Sequence, residues 1–260
     1  MHNLVSKNQQ ILVCIMLNLE VFPIVMTLNS LIYLISFLDN VPTINGPYYY
    51  KVATIDSCGL TALISQISNT ILLSGNANSD FTNSLTWTDY SDWPMGVNRY
   101  NIYLIMNGII STIPIATITS SSLSFIDPVI EDLYSDGKFC YVIEAIEEPG
   151  NPNLFIDSSR SNEICVTQSP IIFIPNAFHP GGLYNEVFFC SNVFVSAEDY
   201  SLDIYNRWGE NIFHTSNPFE GWNGITNGKS APEAVYVYRL QAKNLDGSDI
   251  IKVGSVTLIR

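Results

Sequence analysis

The sequence has little charge, and the charge that it has is mostly acidic. Only 13% of its 260 residues are Asp, Glu, Lys or Arg, and 11 Lys and Arg stand against 24 Asp and Glu, so the net charge is −13. No run of basic residues occurs, whereas proteins that bind phosphate backbones need clustered cations. The composition therefore excludes nucleic acid as an expected partner.

Residues that build catalytic and metal sites are also scarce. The three histidines, His2, His179 and His214, have no Gly-x-Ser-x-Gly nucleophile motif beside them, and no Cys-x-x-Cys pair offers zinc ligands. Acidic residues cluster between Asp127 and Glu148, where we expect solvated loops and a solvated strand face bearing Glu144 rather than a glycosidase pair. We therefore predict a protein that is not an enzyme and that needs neither cofactor nor metal.

One glycine-rich segment imitates a phosphate-binding loop. Gly224 and Gly228 are followed by Lys229 and Ser230, but three residues separate the glycines where the motif requires four. No helix is predicted to follow and supply its N-terminus to a phosphate. We therefore interpret this segment as a turn.

Lys and Glu are too few to supply the polar faces of many surface helices. Instead, 14 Tyr and 13 Phe accompany many Ile, Val and Thr residues, and Gly, Pro, Asn, Asp and Ser recur at short intervals. So much aromatic surface excludes a disordered chain. The alternation of β-forming runs with turn residues predicts an all-β chain of sandwiches or barrels.

Two stretches about 90 residues apart are similar, and 90 residues is roughly the size of one immunoglobulin-like sandwich. The matching residues are Phe37 with Phe125, Asp39 with Asp127, Tyr50 with Tyr141, and Ser68-Asn69 with Ser161-Asn162. The repeat predicts a truncated module over residues 1–75 and a complete one over residues 76–170.

The strand order of the complete copy is similar to that of fibronectin type III modules of bacterial surface proteins. The segments that carry the resemblance are LTWTDY, RYNIY, FCYVIEA and SRSNEICV. The resemblance implies an immunoglobulin-like sandwich with Trp87 in its core.

Two of the five cysteines lie on the last two predicted strands of this module. Cys140 and Cys165 are 25 positions apart, and those strands should be neighbours in a sandwich. A disulfide there would contribute roughly 3 kcal/mol in the chain-entropy model and would fit an exported protein. Two buried free thiols in a reducing compartment are the alternative.

The last ninety residues have a different pattern, which predicts a second small sandwich. Its elements are an apolar strand stopped by Pro175, a strand at 201–205 turned by 207–209, turns at 221–224 and 227–228, and alternating strands at 234–241 and 252–259. The final strand is expected to be an integral part of its sheet.

Five segments of this region occur in a characteristic order, and they are IPNAF, LDIYNRWGENIF, GWNG, AVYVYRL and GSVTLIR. They resemble the gliding-motility-associated C-terminal domain, the type B sorting domain of the type IX secretion system of Bacteroidota. The motif residues are Pro175, Asn176, Phe178, Tyr205, Asn206, Arg207, Trp208, Gly209, Trp222, Gly224, Tyr236 and Tyr238. The resemblance implies a sorting domain over residues 171–260, the type IX secretion machinery as partner, and export to the cell surface or the medium. We expect Trp208 to be a buried anchor of its turn.

The sequence departs from the family pattern at two places. Where the family has Asn-Gly-Asp-Gly-x-Asn-Asp, residues 181–186 keep only Glu186 and the amide of Asn185 as oxygen donors. Hard cations take six to eight oxygens, so we expect no metal there. The family's Trp-Asp-Gly is Trp222-Asn223-Gly224, which keeps the turn and loses a charge.

Residues 11–38 are long and apolar enough for a membrane span, and Lys7 precedes them. Asn18, Glu20 and Pro23 interrupt this stretch, and such residues are unfavourable in hydrocarbon. Strands of the truncated module are the favoured interpretation, while a membrane anchor and a signal peptide stay open as alternatives.

These patterns predict a non-catalytic, exported protein of tandem sandwiches, with adhesion or spacer modules followed by the sorting domain. The modules would bind a cell-surface protein or polysaccharide, in association with gliding motility. The alternative is the C-terminal part of a secreted hydrolase whose catalytic domain lies upstream. Either way, we expect the chain to be the end of a longer protein.

Overall fold

The computed structural model describes residues 10–17, 20–22, 46–55, 61–150, 156–197, 199–244 and 247–260. Within these ranges the regular elements are strands, apart from one 3₁₀ turn at Ile130–Asp132. The all-β fold class is therefore confirmed. No helix among the described residues has the length and apolar character to cross a membrane.

By its internal contacts the chain divides into two compact units. The first comprises Met1–Gly75, Ser84–Ile126 and Cys140–Cys165, and the second comprises Asn76–Asn83, Asp127–Phe139 and Val166–Arg260. This division cuts through the predicted module at 76–170, so the three predicted domains stay a prediction.

The first unit begins with an antiparallel sheet in the order β2-β1-β3-β4, in which β5 also pairs with β3. Its strands are β1 (Gln10–Leu17), β2 (Glu20–Phe22), β3 (Tyr49–Ile55), β4 (Thr61–Ile64) and β5 (Ser68–Asn69). The described part of the apolar N-terminal stretch is thus strand. Residues 23–45, which include Phe37 and Asp39 of the repeat, lie outside the described residues.

Nine strands follow, and they form two sheets in the orders β11-β7-β6 and β10-β8-β12-β13, with β9 on β8 and β14 on β12. They are β6 (Leu73–Ala77), β7 (Thr82–Trp87), β8 (Val97–Met106), β9 (Ile109–Ile110), β10 (Ala116–Thr119), β11 (Ser124–Pro128), β12 (Lys138–Glu147), β13 (Ser158–Arg160) and β14 (Ile164–Thr167). The chain changes sheet between β7 and β8, and on both sides of β11. Such crossings are typical of an immunoglobulin-like sandwich.

Alternate side chains of β7, β8 and β12 form the core of this sandwich in the first unit. They are Leu85, Trp87, Tyr100, Ile102, Tyr141 and Ile143, all buried. The ring of Trp87 meets that of Tyr100 edge to face, with 5.5 Å between centroids. Trp87 therefore occupies the core, where the resemblance placed it.

The structure joins Cys140 of β12 to Cys165 of β14 in a disulfide, with 4.0 Å between the Cα atoms. The two cysteines meet because β14 pairs directly with β12. Cys190, in contrast, is a buried free thiol. Burial raises the pKa of Cys190 to about 12, so this thiol stays protonated and unreactive at neutral pH.

The expected solvated strand face on β12 is wrong for two carboxylates. Glu144 is only 9% exposed, and it accepts hydrogen bonds from Arg160 Nε at 2.9 Å and from the Tyr103 hydroxyl at 3.1 Å. Glu147 is fully buried, since it lies on the same alternating face of β12 as the buried Tyr141 and Ile143. Both carboxylates are part of the packing of the module.

The second unit contains a five-stranded sheet in the order β16-β23-β22-β18-β19 and two sheets of two strands each, β15-β17 and β20-β21. Its strands are β15 (Ile171–Phe173), β16 (Ala177–Phe178), β17 (Ser191–Val193), β18 (Ser201–Tyr205), β19 (Asn211–Thr215), β20 (Ile225–Thr226), β21 (Lys229–Ser230), β22 (Ala234–Lys243) and β23 (Asp249–Leu258). The last strand, β23, lies between β16 and β22, so it is integral to the sheet as predicted.

The same unit contains an aromatic cluster around Phe194, which is 2% exposed. The Phe194 ring lies 5.9 Å from that of Phe81 and 6.0 Å from that of Phe139. The Phe194 amide donates to the Leu133 carbonyl at 2.8 Å. A Cβ on Gly137 would lie 2.8 Å from Phe194 Cβ, so this approach requires glycine. Phe194 is therefore covered by residues from before position 140.

Candidate functional site

The motif of the C-terminal region separates into core residues and surface residues. Phe178, Trp222, Gly224 and Tyr236 are buried, and Pro175, Tyr205, Asn206 and Tyr238 are half-buried. The exposed members are Asn176, Arg207, Trp208 and Gly209. Three of these four are consecutive, which points to a single site on the surface.

Trp222 is the centre of the core, with no exposed surface. Its ring lies 4.8 Å from that of Tyr236 and 5.2 Å from that of Phe178, and its indole N–H donates to the Ile225 carbonyl at 3.0 Å. Asn223 Oδ1 accepts from the Ile225 amide at 3.0 Å, so the replacement of the family's Asp keeps the turn. These contacts hold three separate parts of the sequence together.

The two motif tyrosines of β22 face the same core. The Tyr236 hydroxyl donates to the Pro232 carbonyl at 2.7 Å. Burial raises the pKa of Tyr236, and the positive charge of Arg260 offsets only part of this rise. Burial also raises the pKa of Tyr238, which lies opposite Gly254 in the strand register. A Cβ on Gly254 would collide with the Tyr238 hydroxyl, so the glycine of GSVTLIR makes room for this ring.

Asn206 organises the loop that joins β18 to β19. Its Oδ1 accepts from the amides of Trp208 and Glu210, each at 3.0 Å, and its Nδ2 donates to Glu210 Oε2 at 2.9 Å. Gly209 closes the loop in the left-handed region, at φ 81°. Five residues thus form a tightly hydrogen-bonded tip, because one Asn side chain replaces missing backbone partners.

Trp208 projects from this tip and is 75% exposed, so the expectation of a buried turn anchor is wrong. The guanidinium of Arg207 lies over its ring, 4.2 Å from the ring centroid. This is cation–π geometry, which fixes the two side chains against each other at the surface. We call Arg207 and Trp208 the Arg-Trp tip.

A groove of about 350 Å³ lies beside the Arg-Trp tip, between the β18–β19 loop and the segment that leads into β22. Its apolar lining comes from Ile212, Ala231, Pro232, Ala234, Val235 and Tyr236. Its charged lining residues are Arg207, Glu210, Lys229 and Glu233. A groove of this size accommodates one or two side chains of a partner rather than a large cofactor.

The histidines and the potential metal ligands of the described residues do not come together in a catalytic or metal-binding site. His214 Nδ1 lies 2.8 Å from Asp203 Oδ1 on an exposed surface, and His179 is exposed. Glu186 lines a cleft together with Arg260, whose positive charge disfavours a cation there. In the part of the chain that the structure describes, the one group of three close metal-ligand atoms contains Cys140 and Cys165, whose sulfurs form the disulfide.

Sequence reasoning found the tip but missed the groove and the exposure of Trp208. The groove lining comes from the 206–212 loop and from residues 226–236, which meet only in the folded domain. A usable signal was present in Asn206 and Gly209, since an Asn-x-x-Gly loop between strands turns its central residues outward.

Comparisons with known proteins identify the C-terminal region. Residues 172–258 match the family model of the CHU_C type IX secretion signal domain. This match confirms the family predicted for residues 171–260, and such a domain indicates export across the outer membrane, to the cell surface or into the medium. None of the curated proteins matches the chain.

Three solved structures are similar to the chain at low scores. They are a tetra-tandem repeat from the extending region of a large adhesion protein (14% identity, TM-score 0.33, 98% of this chain and 68% of that chain), the FN1–FN3 domains of chicken CNTN1 (12%, 0.28, 100% and 91%) and fibronectin(III)-like modules of Clostridium thermocellum CbhA (11%, 0.24, 72% and 93%). Fibronectin-like and secretion-signal domains are typically non-catalytic.

Proposed function

We propose that residues 171–260 are read, as a folded domain, by the type IX secretion machinery, and that the modules before them are the exported cargo. The family match at residues 172–258 carries this proposal. The cargo would serve as adhesion or spacer modules at the cell surface. A role in gliding motility is part of the same prediction.

Recognition of a folded domain, rather than of a short tail, follows from how the motif is assembled. Phe178, Trp222 and Tyr236 are far apart in sequence and contact one another only in the core. The Arg-Trp tip is held by hydrogen bonds of the β18–β19 loop, which requires both strands to be paired. A partner that reads these elements together reads the fold.

Export of the full chain tests the proposal. A reporter enzyme placed before the chain, behind a signal for inner-membrane export, should reach the medium or the cell surface in a host that has a type IX system. The same protein ending at Pro170 should stay in the periplasm. Equal export of both proteins would contradict the proposal, and a host lacking the system supplies the control.

An adhesive role of the complete module is favoured by one surface feature. Met106, Ile109 and Ile113 are 62%, 73% and 76% exposed, and no charged residue occurs between Tyr100 and Ile126. Exposed apolar clusters of this kind mark sites of protein contact, so a protein ligand fits better than a polysaccharide. Serine at all three positions should abolish binding of the purified chain to a ligand-bearing cell surface, whereas unchanged binding favours the spacer role.

The hydrolase alternative stays a prediction about sequence that precedes residue 1. It requires a catalytic motif upstream in the same reading frame, whereas the adhesion or spacer role requires further repeats of about 90 residues. The surrounding gene sequence distinguishes the two.

A further inference from the structure

The exposure of Trp208 is unusual for a side chain of its size. Trp208 is 75% exposed, although the hydrophobic effect favours burying so large a ring. Tryptophan and arginine are also the residue types that most often dominate the energy of protein–protein contacts. An exposed Trp with an Arg stacked on it is therefore a candidate contact point.

The Arg-Trp tip is also preorganised. Asn206 accepts two amide hydrogen bonds at 3.0 Å, including that of Trp208, and the guanidinium of Arg207 covers one side of the indole at 4.2 Å. Ordering flexible side chains is one of the main costs of association. Because both side chains are already held, a partner would lose little of its binding free energy in ordering them.

The charges around the groove indicate the chemistry of that partner. Among the described residues, the ion pairs are Arg160 with Glu144, His214 with Asp203, and Lys243 with Asp199, so Arg207 and Lys229 have no carboxylate partner. These two are unpaired cations in a chain of net charge −13. Of the two carboxylates in the lining, Glu210 is engaged by Asn206 and Glu233 is exposed to solvent.

A stacked guanidinium keeps its N–H edge free, and that edge matches a carboxylate in a bidentate pair. The groove beside it is lined mainly by apolar side chains, such as Ile212 and Val235. An acidic side chain next to an apolar one in a partner loop would complement both features. A neutral sugar would leave the two cations unpaired.

We infer that the Arg-Trp tip and its groove are the surface by which the secretion machinery holds this domain. The occupant is a protein loop of that machinery that places an apolar side chain in the groove against Trp208 and a carboxylate on Arg207. This inference rests on the proposed function of residues 171–260. It assigns recognition to the tip and folding to the core around Trp222.

The test uses the full chain with four substitutions at three positions and the export assay described above. Trp208→Ala should lower the secreted fraction about tenfold or more, as expected for a binding hot spot, while the melting temperature falls by a few degrees at most. Tyr184→Ala is the matched control, since Tyr184 is an aromatic residue of the same domain, is 84% exposed and lies outside the groove lining. The control should be exported like the unchanged protein.

The charge prediction is tested at Arg207. Arg207→Glu should lower export more than Arg207→Lys, since the glutamate repels the partner carboxylate and the lysine keeps a positive charge. Equal export of these two variants and the unchanged protein would overturn the carboxylate part of the inference.

The outcomes separate this inference from the proposed function. If Trp208→Ala is exported normally while the protein ending at Pro170 is retained, the domain is the signal but the tip is not its contact surface. If the protein ending at Pro170 is also exported, both ideas fail. If Trp208→Ala is exported normally but no longer binds cell-surface polysaccharide, the tip is a glycan site and the inference is overturned.

Discussion

Two tryptophans of the C-terminal domain lie in glycine-containing turns of the same sequence motif, yet their environments are opposite. Trp222 has no exposed surface and contacts two other aromatic rings, whereas Trp208 is 75% exposed and contacts Arg207. The difference shows that one motif combines two physical tasks. Residues around Trp222 make the domain fold, and residues around Trp208 give its surface a specific shape.

Removing the buried ring should have the largest effect on stability. Trp222→Ala would leave a cavity between Phe178 and Tyr236 and is expected to destabilise the second unit by about 3–5 kcal/mol. Urea denaturation of the full chain, followed by tryptophan fluorescence and circular dichroism, measures this change. A loss below about 1 kcal/mol would remove the distinction between the two tryptophans.

The glycines of the two turns provide a second, smaller contrast. Gly224 and Gly209 both have positive φ, at 76° and 81°, but a Cβ on Gly224 would lie 2.7 Å from Pro180 Cγ, whereas a Cβ on Gly209 meets nothing within 4 Å. Gly209→Ala should cost about 1–2 kcal/mol of backbone strain. Gly224→Ala should cost about 1–3 kcal/mol more, because overpacking is added. Equal midpoints of thermal unfolding would show that the core near Pro180 relaxes freely.

A substitution of Asn206 should disorder the exposed loop with little effect on the stability of the domain. Asn206→Ala removes the acceptor for two amides, and exposure to water offsets part of the loss, so we expect about 1 kcal/mol or less. Hydrogen exchange at the amides of Trp208 and Glu210 should accelerate while exchange in β22 and β23 stays slow. Acceleration throughout the sheet would mean that the loop stabilises the whole domain.

Trp208→Ala should have the smallest effect on stability. The ring is mostly in water and its main contact is an exposed cation–π pair, which contributes about 0.5–1 kcal/mol. Calorimetry should therefore find an unfolding free energy within about 1 kcal/mol of the unchanged protein. A loss comparable to that of Trp222→Ala would indicate that Trp208 is a folding residue after all.

The sequence predicts the regular strands of the domain better than the environments of its two tryptophans. Strand alternation located β22 and β23 closely, and the neighbouring positions of Cys140 and Cys165 followed from strand order. The exposure of Trp208 could not be read from strand alternation, which stops at Tyr205; the signal for it was the Asn-x-x-Gly pattern of the loop. Trp222 is buried by Phe178 and Tyr236, which approach from distant parts of the sequence.

Glu147 illustrates a second limit. A period of two residues along β12 places Glu147 on the face of the buried Tyr141 and Ile143, whereas the solvated position expected for this acidic cluster followed only from charge. A carboxylate can occupy a core face only where the fold supplies polar partners, such as the Asp157 amide that donates to Glu147 Oε2 at 3.3 Å, and composition does not reveal those partners.

Phe194 determines how much of the chain must be included when the secretion signal domain is fused to another protein. The family match begins at residue 172, but the rings that cover Phe194 belong to Phe81 and Phe139. A graft that starts at the family border would leave the Phe194 ring in water and forgo about 1.5–3 kcal/mol of apolar burial. A portable tag should instead begin near residue 76, because that length brings its own cover for Phe194.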